Sequence, residues 1–188
     1  MYYNHCIGFI EGLTEIDMIN ILYIHGYGSS SNSPSSKIDL LESEFINVYR
    51  VAPNYNNGFK SAVQEVLDFV KDLDINGVIG TSMGGYMAPI LGKPYVSINP
   101  CLFPSISLEK YNVCDESLSS YPDLTIKNIS GLVLIGMNDT VIDPVASIDF
   151  FQDKLPILVD DSADHQFSDL SKYIDNITSF LFSANSSC

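Results

Sequence analysis

Val78-Ile79-Gly80-Thr81-Ser82-Met83-Gly84 is the stretch that decides how this chain folds. An apolar run ends in Gly-x-Ser-x-Gly and opens onto Tyr86-Met87-Ala88, a segment compatible with a helix. That spacing belongs to a nucleophile elbow, a sharp strand-to-helix turn that holds a serine in strained backbone at its apex. The glycines two before and two after the serine carry no Cβ, so strand and helix can approach closely while Oγ projects. The serine also stands at a helix start, where unpaired N–H groups point toward charge that develops in acyl transfer. A glycine-rich turn with an ordinary capping serine would use the same residues. The surrounding elements favour the elbow.

Around the elbow, apolar β-prone runs alternate with helical patterns. Met18 to Ile24, Val48 to Ala52, Gly77 to Gly80, Tyr95 to Ile98, Gly131 to Ile135 and Ile157 to Val159 read as strands. Lys37 to Phe45 reads as a helix with Ile38, Leu41 and Phe45 on one face, and Phe59, Val63, Val66, Leu67, Val70 and Leu73 recur at helical spacing. The elbow helix is expected to run to about Leu91, a short helix lies between Pro144 and Phe151, and Phe167, Leu170, Ile174, Ile177 and Leu181 mark the closing helix. Residues 101–130 are irregular. Strands that are apolar throughout and separated by helices imply a mostly parallel sheet covered on both faces, an α/β fold. Reactive groups in such sheets gather at the carboxyl ends of the strands. The expected organisation is an N-terminal extension, residues 1–17, a single domain over 18–183 and a loose tail, 184–188.

A serine hydroxyl needs a base to take its proton and a group to orient that base. Of the three histidines, His5 lies in the extension, His25 ends the first strand, and His165 follows the last strand in Asp160-Asp161-Ser162-Ala163-Asp164-His165. His165 is the expected base. Asp139, just after the strand ending at Ile135, is the expected acid; Asp143 competes but could cap the helix that begins at Pro144. Asp164 adjoins His165, yet sequence neighbours rarely face each other well enough to orient an imidazole. The oxyanion hole would take the N–H of Met83 and that of Tyr27 in His25-Gly26-Tyr27-Gly28. His25 would brace that loop through ring hydrogen bonds. Tyr86, Leu102, Phe103 and Tyr121 are candidates for a substrate pocket, although each could equally pack the core.

Composition limits the partners. With 9 basic and 23 acidic residues the chain carries a net charge of −14, which argues against nucleic acid and anionic membranes. Arg50 is the only arginine, so no phosphate-binding cluster is visible. Cys6, Cys101, Cys114 and Cys188 show neither metal-ligand spacing nor a dense framework, and read as thiols in a reducing, cytoplasmic setting. No apolar run approaches a membrane span.

Taken together, Leu22 to Ser30, Gly80 to Tyr86, Ser97-Ile98-Asn99-Pro100, Asn138 to Asp143 and Asp164-His165-Gln166-Phe167 resemble the YqiA-like small esterases, a compact branch of the α/β-hydrolase superfamily. The resemblance runs from about Ile19 to Leu181. It implies an α/β-hydrolase fold with a minimal lid and hydrolysis of small acyl esters without metal or organic cofactor. It also places nucleophile, acid and base on Ser82, Asp139 and His165. A thioester substrate, or a non-catalytic binding protein on the same scaffold, are the alternatives.

Overall fold

The structure is a computed structural model that describes residues 19–109, 115–127 and 130–185. The expected extension, residues 1–17, lies outside the described residues, as do Cys6, Cys114 and Cys188. Six strands, β1 (Asn20–Ile24), β2 (Asn47–Val51), β3 (Gly77–Thr81), β4 (Tyr95–Ile98), β5 (Gly131–Gly136) and β6 (Ile157–Asp160), form one parallel sheet in the order β2-β1-β3-β4-β5-β6. Around it are the helices α1 (Ser36–Glu44), α2 (Phe59–Val70), α3 (Met83–Met87), α4 (Pro104–Ser107), α5 (Asp115–Ser119), α6 (Pro144–Phe151) and α7 (Ile174–Asn185). This is the α/β-hydrolase architecture.

The apolarity of the four central strands, β1, β3, β4 and β5, follows from burial on both faces. Leu22, Ile24 and Val78 pack with Ala62 and Val66 of α2 and Phe151 of α6, whereas Ile21, Tyr23 and Ile79 pack with Ile38 and Leu41 of α1 and Ile177 and Leu181 of α7. Period-two alternation therefore sends both sets of side chains into a core. The register brings Ile24 beside Gly80, Thr81 beside Ile98, Ile98 beside Leu134, and Gly136 beside Asp160. All these ends lie at one edge, so the loops that follow them share one rim. The chain leaves β1 for β2 on one side and returns to β3 on the other, which opens a crevice between β1 and β3.

The structure departs from the sequence reading in several places, the short helices α4 and α5 within the irregular 101–130 stretch among them. Phe167 and Leu170 do not belong to the closing helix: Phe167 has φ 47, which a helix cannot hold, and α7 begins at Ile174. Both residues are nonetheless fully buried in the α1–α7 layer, so their apolar spacing reflects burial rather than helix. The elbow helix tightens into a 3-10 turn over Ala88–Leu91, where Pro89 cannot donate to an α-helical ladder. Residues 184–185, expected in the tail, finish α7.

The turn after β1 is braced from below. His25 N–H donates to Val51 O at 2.9 Å, and the Tyr55 hydroxyl donates to His25 O at 2.6 Å. The His25 ring packs edge-on against Tyr23 at 4.8 Å, and its buried Nε2 has no hydrogen-bond partner. Bracing thus runs through the His25 backbone, where the sequence had suggested ring hydrogen bonds. Burial, with Arg50 and Lys37 nearby, lowers the imidazole from 6.5 to about 4.

Two measurements follow from this frame. A Cβ on Gly84 would sit 1.9 Å from Ile24 O, and one on Gly80 2.2 Å from Gly84 O. Gly84→Ala therefore forces backbone apart and should destabilise by about 3 kcal/mol or more, read as a fall in Tm; an unchanged Tm would contradict the close approach. For His25, the unfolded chain binds a proton below about pH 6.5 that the folded chain refuses until about pH 4. Its contribution is intact above that window and is lost as pH falls through it. His25→Gln should lessen acid destabilisation between about pH 7 and 4 by on the order of 2 kcal/mol, measured by denaturant titration; an identical pH slope in both proteins would contradict it.

Candidate active site

Ser82 occupies the turn between β3 and α3 with φ 57 and ψ −117, a conformation that a non-glycine residue adopts only when its surroundings impose it. The surroundings are specific. Ser82 N–H donates to Ile98 O at 2.9 Å, and Ser82 O accepts from Tyr86 N–H at 2.9 Å and Cys101 N–H at 3.2 Å. Strand β4 and the residues after it thus clamp the elbow from the side, while the Gly80–Gly84 contact closes it from behind. Met83 is the first residue of α3, so its N–H has no partner within the helix.

His165 and Asp139 meet. His165 Nδ1 lies 2.8 Å from Asp139 Oδ2, with the carboxylate side chain 1% exposed and the imidazole 16%. The other oxygen, Oδ1, accepts from Val141 N–H at 2.6 Å and Ile142 N–H at 2.8 Å, which locks the carboxylate in one orientation. One oxygen of the Asp139 carboxylate thus holds the turn that follows it, and the other meets the histidine. Asp143 caps α6 by accepting from Val145 and Ala146 N–H, and Asp164 closes its own turn onto Gln166 and Phe167 N–H.

The loops after β5 and β6 are stitched together to make this meeting possible. Met137 N–H donates to Asp160 O and Asn138 N–H to Ala163 O, each at 2.9 Å. Asp160 Oδ1 accepts from Ser162 N–H, Ser162 Oγ and Ala163 N–H, so the carboxylate is held well below the usual range and shapes the loop carrying His165. Asn99 ties in the third loop. Its side chain, 2% exposed, accepts from Gly136 N–H at 2.8 Å and donates to Asp164 O at 2.9 Å and His165 O at 3.2 Å. Its left-handed φ of 43 lets the amide turn back under these loops. In the sequence Asn99 stands in the Ser97-Ile98-Asn99-Pro100 stretch of the resemblance with no role assigned to it; a polar residue between an apolar strand and a proline is the signal that could have marked it.

The loop after β1 lies against the serine. A Cβ on Gly26 would come within 3.1 Å of Thr81 O, 3.2 Å of Ser82 Cβ and 3.8 Å of its Oγ, so the loop lies in tight contact with the serine. Ser82, His165, Gly26 and Tyr27 all line a cavity of about 540 Å³. An apolar groove of about 300 Å³, walled by Leu102, Phe103, Ile106 and Ala146, adjoins it through the shared residues Ser107, Val141 and Ile142.

Tyr86 and Tyr121 are not among the residues lining either space. They form an edge-to-face cluster with Phe59 at 5.8–6.1 Å between ring centres and are 2% and 4% exposed. Tyr86 OH donates to Pro122 O, and Tyr121 OH to Tyr55 O at 2.8 Å. Both are packing residues, and burial raises both phenols. Tyr121 supports Tyr55, which in turn holds His25 O. Leu102 and Phe103, by contrast, do border the apolar groove.

Lys37 gave no sign in the sequence beyond its place at a helix start. Its residue is 6% exposed, and Nζ donates to Gln166 O at 2.6 Å and Thr81 Oγ1 at 3.3 Å, with Tyr23 OH 2.8 Å from the same Oγ1. Burial lowers the ammonium to about 8 against the opposing influence of Asp164. It thus links the strand before Ser82 with the residue after His165.

Among solved structures the fold has close company. Est1E from Butyrivibrio proteoclasticus is similar at a TM-score of 0.64 with 13% identity, covering 90% of this chain and 89% of that one. A serine hydrolase involved in carbazole degradation, the CarC enzyme, is similar at a TM-score of 0.62 with 15% identity, covering 87% and 90%. In sequence, the UPF0227 protein YcfP from Salmonella paratyphi A is 28% identical over 181 residues, which span 85% of this chain and 97% of that protein. Residues 20–123, more than half of the chain and including β1 to β4 with the elbow, match the family described as "Uncharacterised protein family (UPF0227)", and this chain belongs to it.

Proposed function

We propose that the protein is a serine hydrolase that cleaves carboxylic esters through an acyl-enzyme on Ser82. The observation that carries this is the buried Asp139 carboxylate held 2.8 Å from His165 Nδ1, on the cavity into which the strained Ser82 turn also faces. With Nδ1 committed to Asp139, Nε2 is the nitrogen left to act as base. It takes the Ser82 proton as Oγ attacks the ester carbonyl, and the tetrahedral oxyanion is held by the N–H groups of Met83 and Tyr27. His165 then gives the proton to the departing alcohol. Water, deprotonated by the same imidazole, attacks the acyl carbonyl and releases the acid and free Ser82. Asp139 stays ionised throughout and stabilises the imidazolium.

The apolar groove bordered by Leu102, Phe103 and Ile106 adjoins the cavity and suits the acyl chain. A small ester that enters from solvent, with neither nucleic acid nor membrane as partner, accords with the net charge of −14. The likeness to Est1E, which has also been solved with ferulic acid bound, fits carboxylic esters as the class. No metal or organic cofactor enters the proposed cycle. Asn99 acts as a positioning residue: it fixes the carbonyls on either side of the His165 Cα and the start of the Asp139 loop, without touching substrate.

p-Nitrophenyl esters of increasing acyl length test the proposal. Ser82→Ala should fall to below about 1% of wild-type kcat at unchanged fold, because removal of a triad member costs about 10³-fold or more; comparable turnover by that variant would exclude Ser82 as nucleophile. Asn99→Ala should lower kcat about 10–100-fold with little change in KM, since a base displaced by about an ångström loses that much. Retained kcat in a folded Asn99→Ala protein would remove the positioning role.

A further inference from the structure

One side of the cavity is built for charge, although the chain as a whole is acidic. Ser33, Pro34, Ser35 and Lys37 line it where α1 begins. Ser35 is the N-cap of that nine-residue helix, yet its side chain makes no capping hydrogen bond. The first N–H groups of α1 therefore have no partner within the helix and no cap from Ser35, and the helix presents its positive end there. The one acidic residue of the first turn, Asp39, is exposed.

A second observation is independent of the helix. His25, 7% exposed, lines the same cavity and its Nε2 is buried without a partner. Lys37, 6% exposed, is in no ion pair among the described residues and uses two of its three protons, on Gln166 O and Thr81 Oγ1. Behind this wall stands Arg50, which donates to Ser33 O at 2.6 Å and whose Nε is buried and unpartnered. The only arginine of the chain and a buried lysine thus both act on one lining residue, His25, whose imidazole is held down by burial first and by these two charges after it. Two carboxylates are near. Asp139 is committed to His165 and two N–H groups, and Asp164 accepts from Gln166 and Phe167 N–H.

We infer that this end of the cavity, between the β1 loop and the start of α1, is a subsite for one carboxylate of the substrate, held by Lys37 and the first N–H groups of α1, with His25 lining the same wall. It deepens the ester-hydrolase reading, on which it rests for the nature of the ligand: a monoester of a dicarboxylic acid, its free acid beside Lys37 and its ester carbonyl at Ser82. A single charge fits better than a phosphate cluster. The one guanidinium is already engaged with a carbonyl, and the overall charge of −14 penalises every further negative charge from a distance. Charge-assisted hydrogen bonds at short range outweigh that weak, screened repulsion.

The test pairs 4-nitrophenyl hydrogen glutarate with its uncharged counterpart, methyl 4-nitrophenyl glutarate. Wild type should favour the anionic ester about tenfold or more in kcat/KM. Lys37→Met should abolish that preference, and Arg50→Met, outside the cavity lining, should weaken it about threefold. Equal or better turnover of the neutral ester by wild type would overturn the subsite. A binding measurement separates this from the reaction: Ser82→Ala titrated calorimetrically should bind glutarate and not the uncharged glutaramide, with binding lost in Ser82→Ala/Lys37→Met. Glutarate binding without turnover of either ester would keep the subsite and sink the esterase reading. No glutarate binding to folded Ser82→Ala would overturn the subsite whatever the esters do.

Discussion

The near-contact of β3, α3 and β1 at Gly80, Gly84 and Ile24 is the constraint from which the rest of the site follows. With backbone atoms this close, the chain cannot pass from strand to helix by a relaxed turn. Ser82 absorbs the change of direction at φ 57, a strain worth on the order of 1–3 kcal/mol. That strain is offset by hydrogen bonds from β4 and by burial of the α3 helix, which is entirely enclosed. Because the same contact pins the end of β1, the His25-Gly26-Tyr27 loop has no choice but to lie against the serine. The proposed nucleophile and its prospective oxyanion donors are therefore set by one piece of packing.

The His165–Asp139 pair depends on a second, softer arrangement. No strand carries Asp139 or His165; both ride on loops, and loops of this length hold a 2.8 Å contact only when fastened. Fastening here is by polar groups buried at the rim: Asp160 within its own loop, Asn99 between three loops, and Lys37 from α1 to the residue after His165. Buried and satisfied polar networks of this kind rigidify a site, while loss of one member leaves others unpaired at about 1–3 kcal/mol each. Burial of the apolar sheet provides stability, and these few polar side chains provide alignment.

Much of this was legible in the sequence, for local reasons. The elbow could be read because close approach demands glycine at fixed offsets from the serine. The parallel sheet could be read because its central strands, enclosed on both faces, are almost wholly apolar. The pairing of Asp139 with His165 was accessible through chain order together with strand ends. What escaped notice depends on long-range contact. Tyr86 and Tyr121 have the composition of pocket walls, but whether an aromatic ring faces a cavity or a Phe59 is decided by the fold. Phe167 and Leu170 mimicked a helical stripe because burial in an irregular segment can repeat at the same spacing. Asn99 and Lys37 each touch residues more than 40 positions away, and no local pattern announces that.

Intact-protein mass spectrometry after reaction with a fluorophosphonate, followed by peptide mapping, reads the reactivity of Ser82 itself. One stoichiometric phosphonyl adduct is expected, located on Ser82, with its rate of formation sharply reduced in Asp139→Asn. A folded protein that takes up no adduct, or one labelled at another residue, would contradict the assignment of Ser82 as a nucleophile activated by His165.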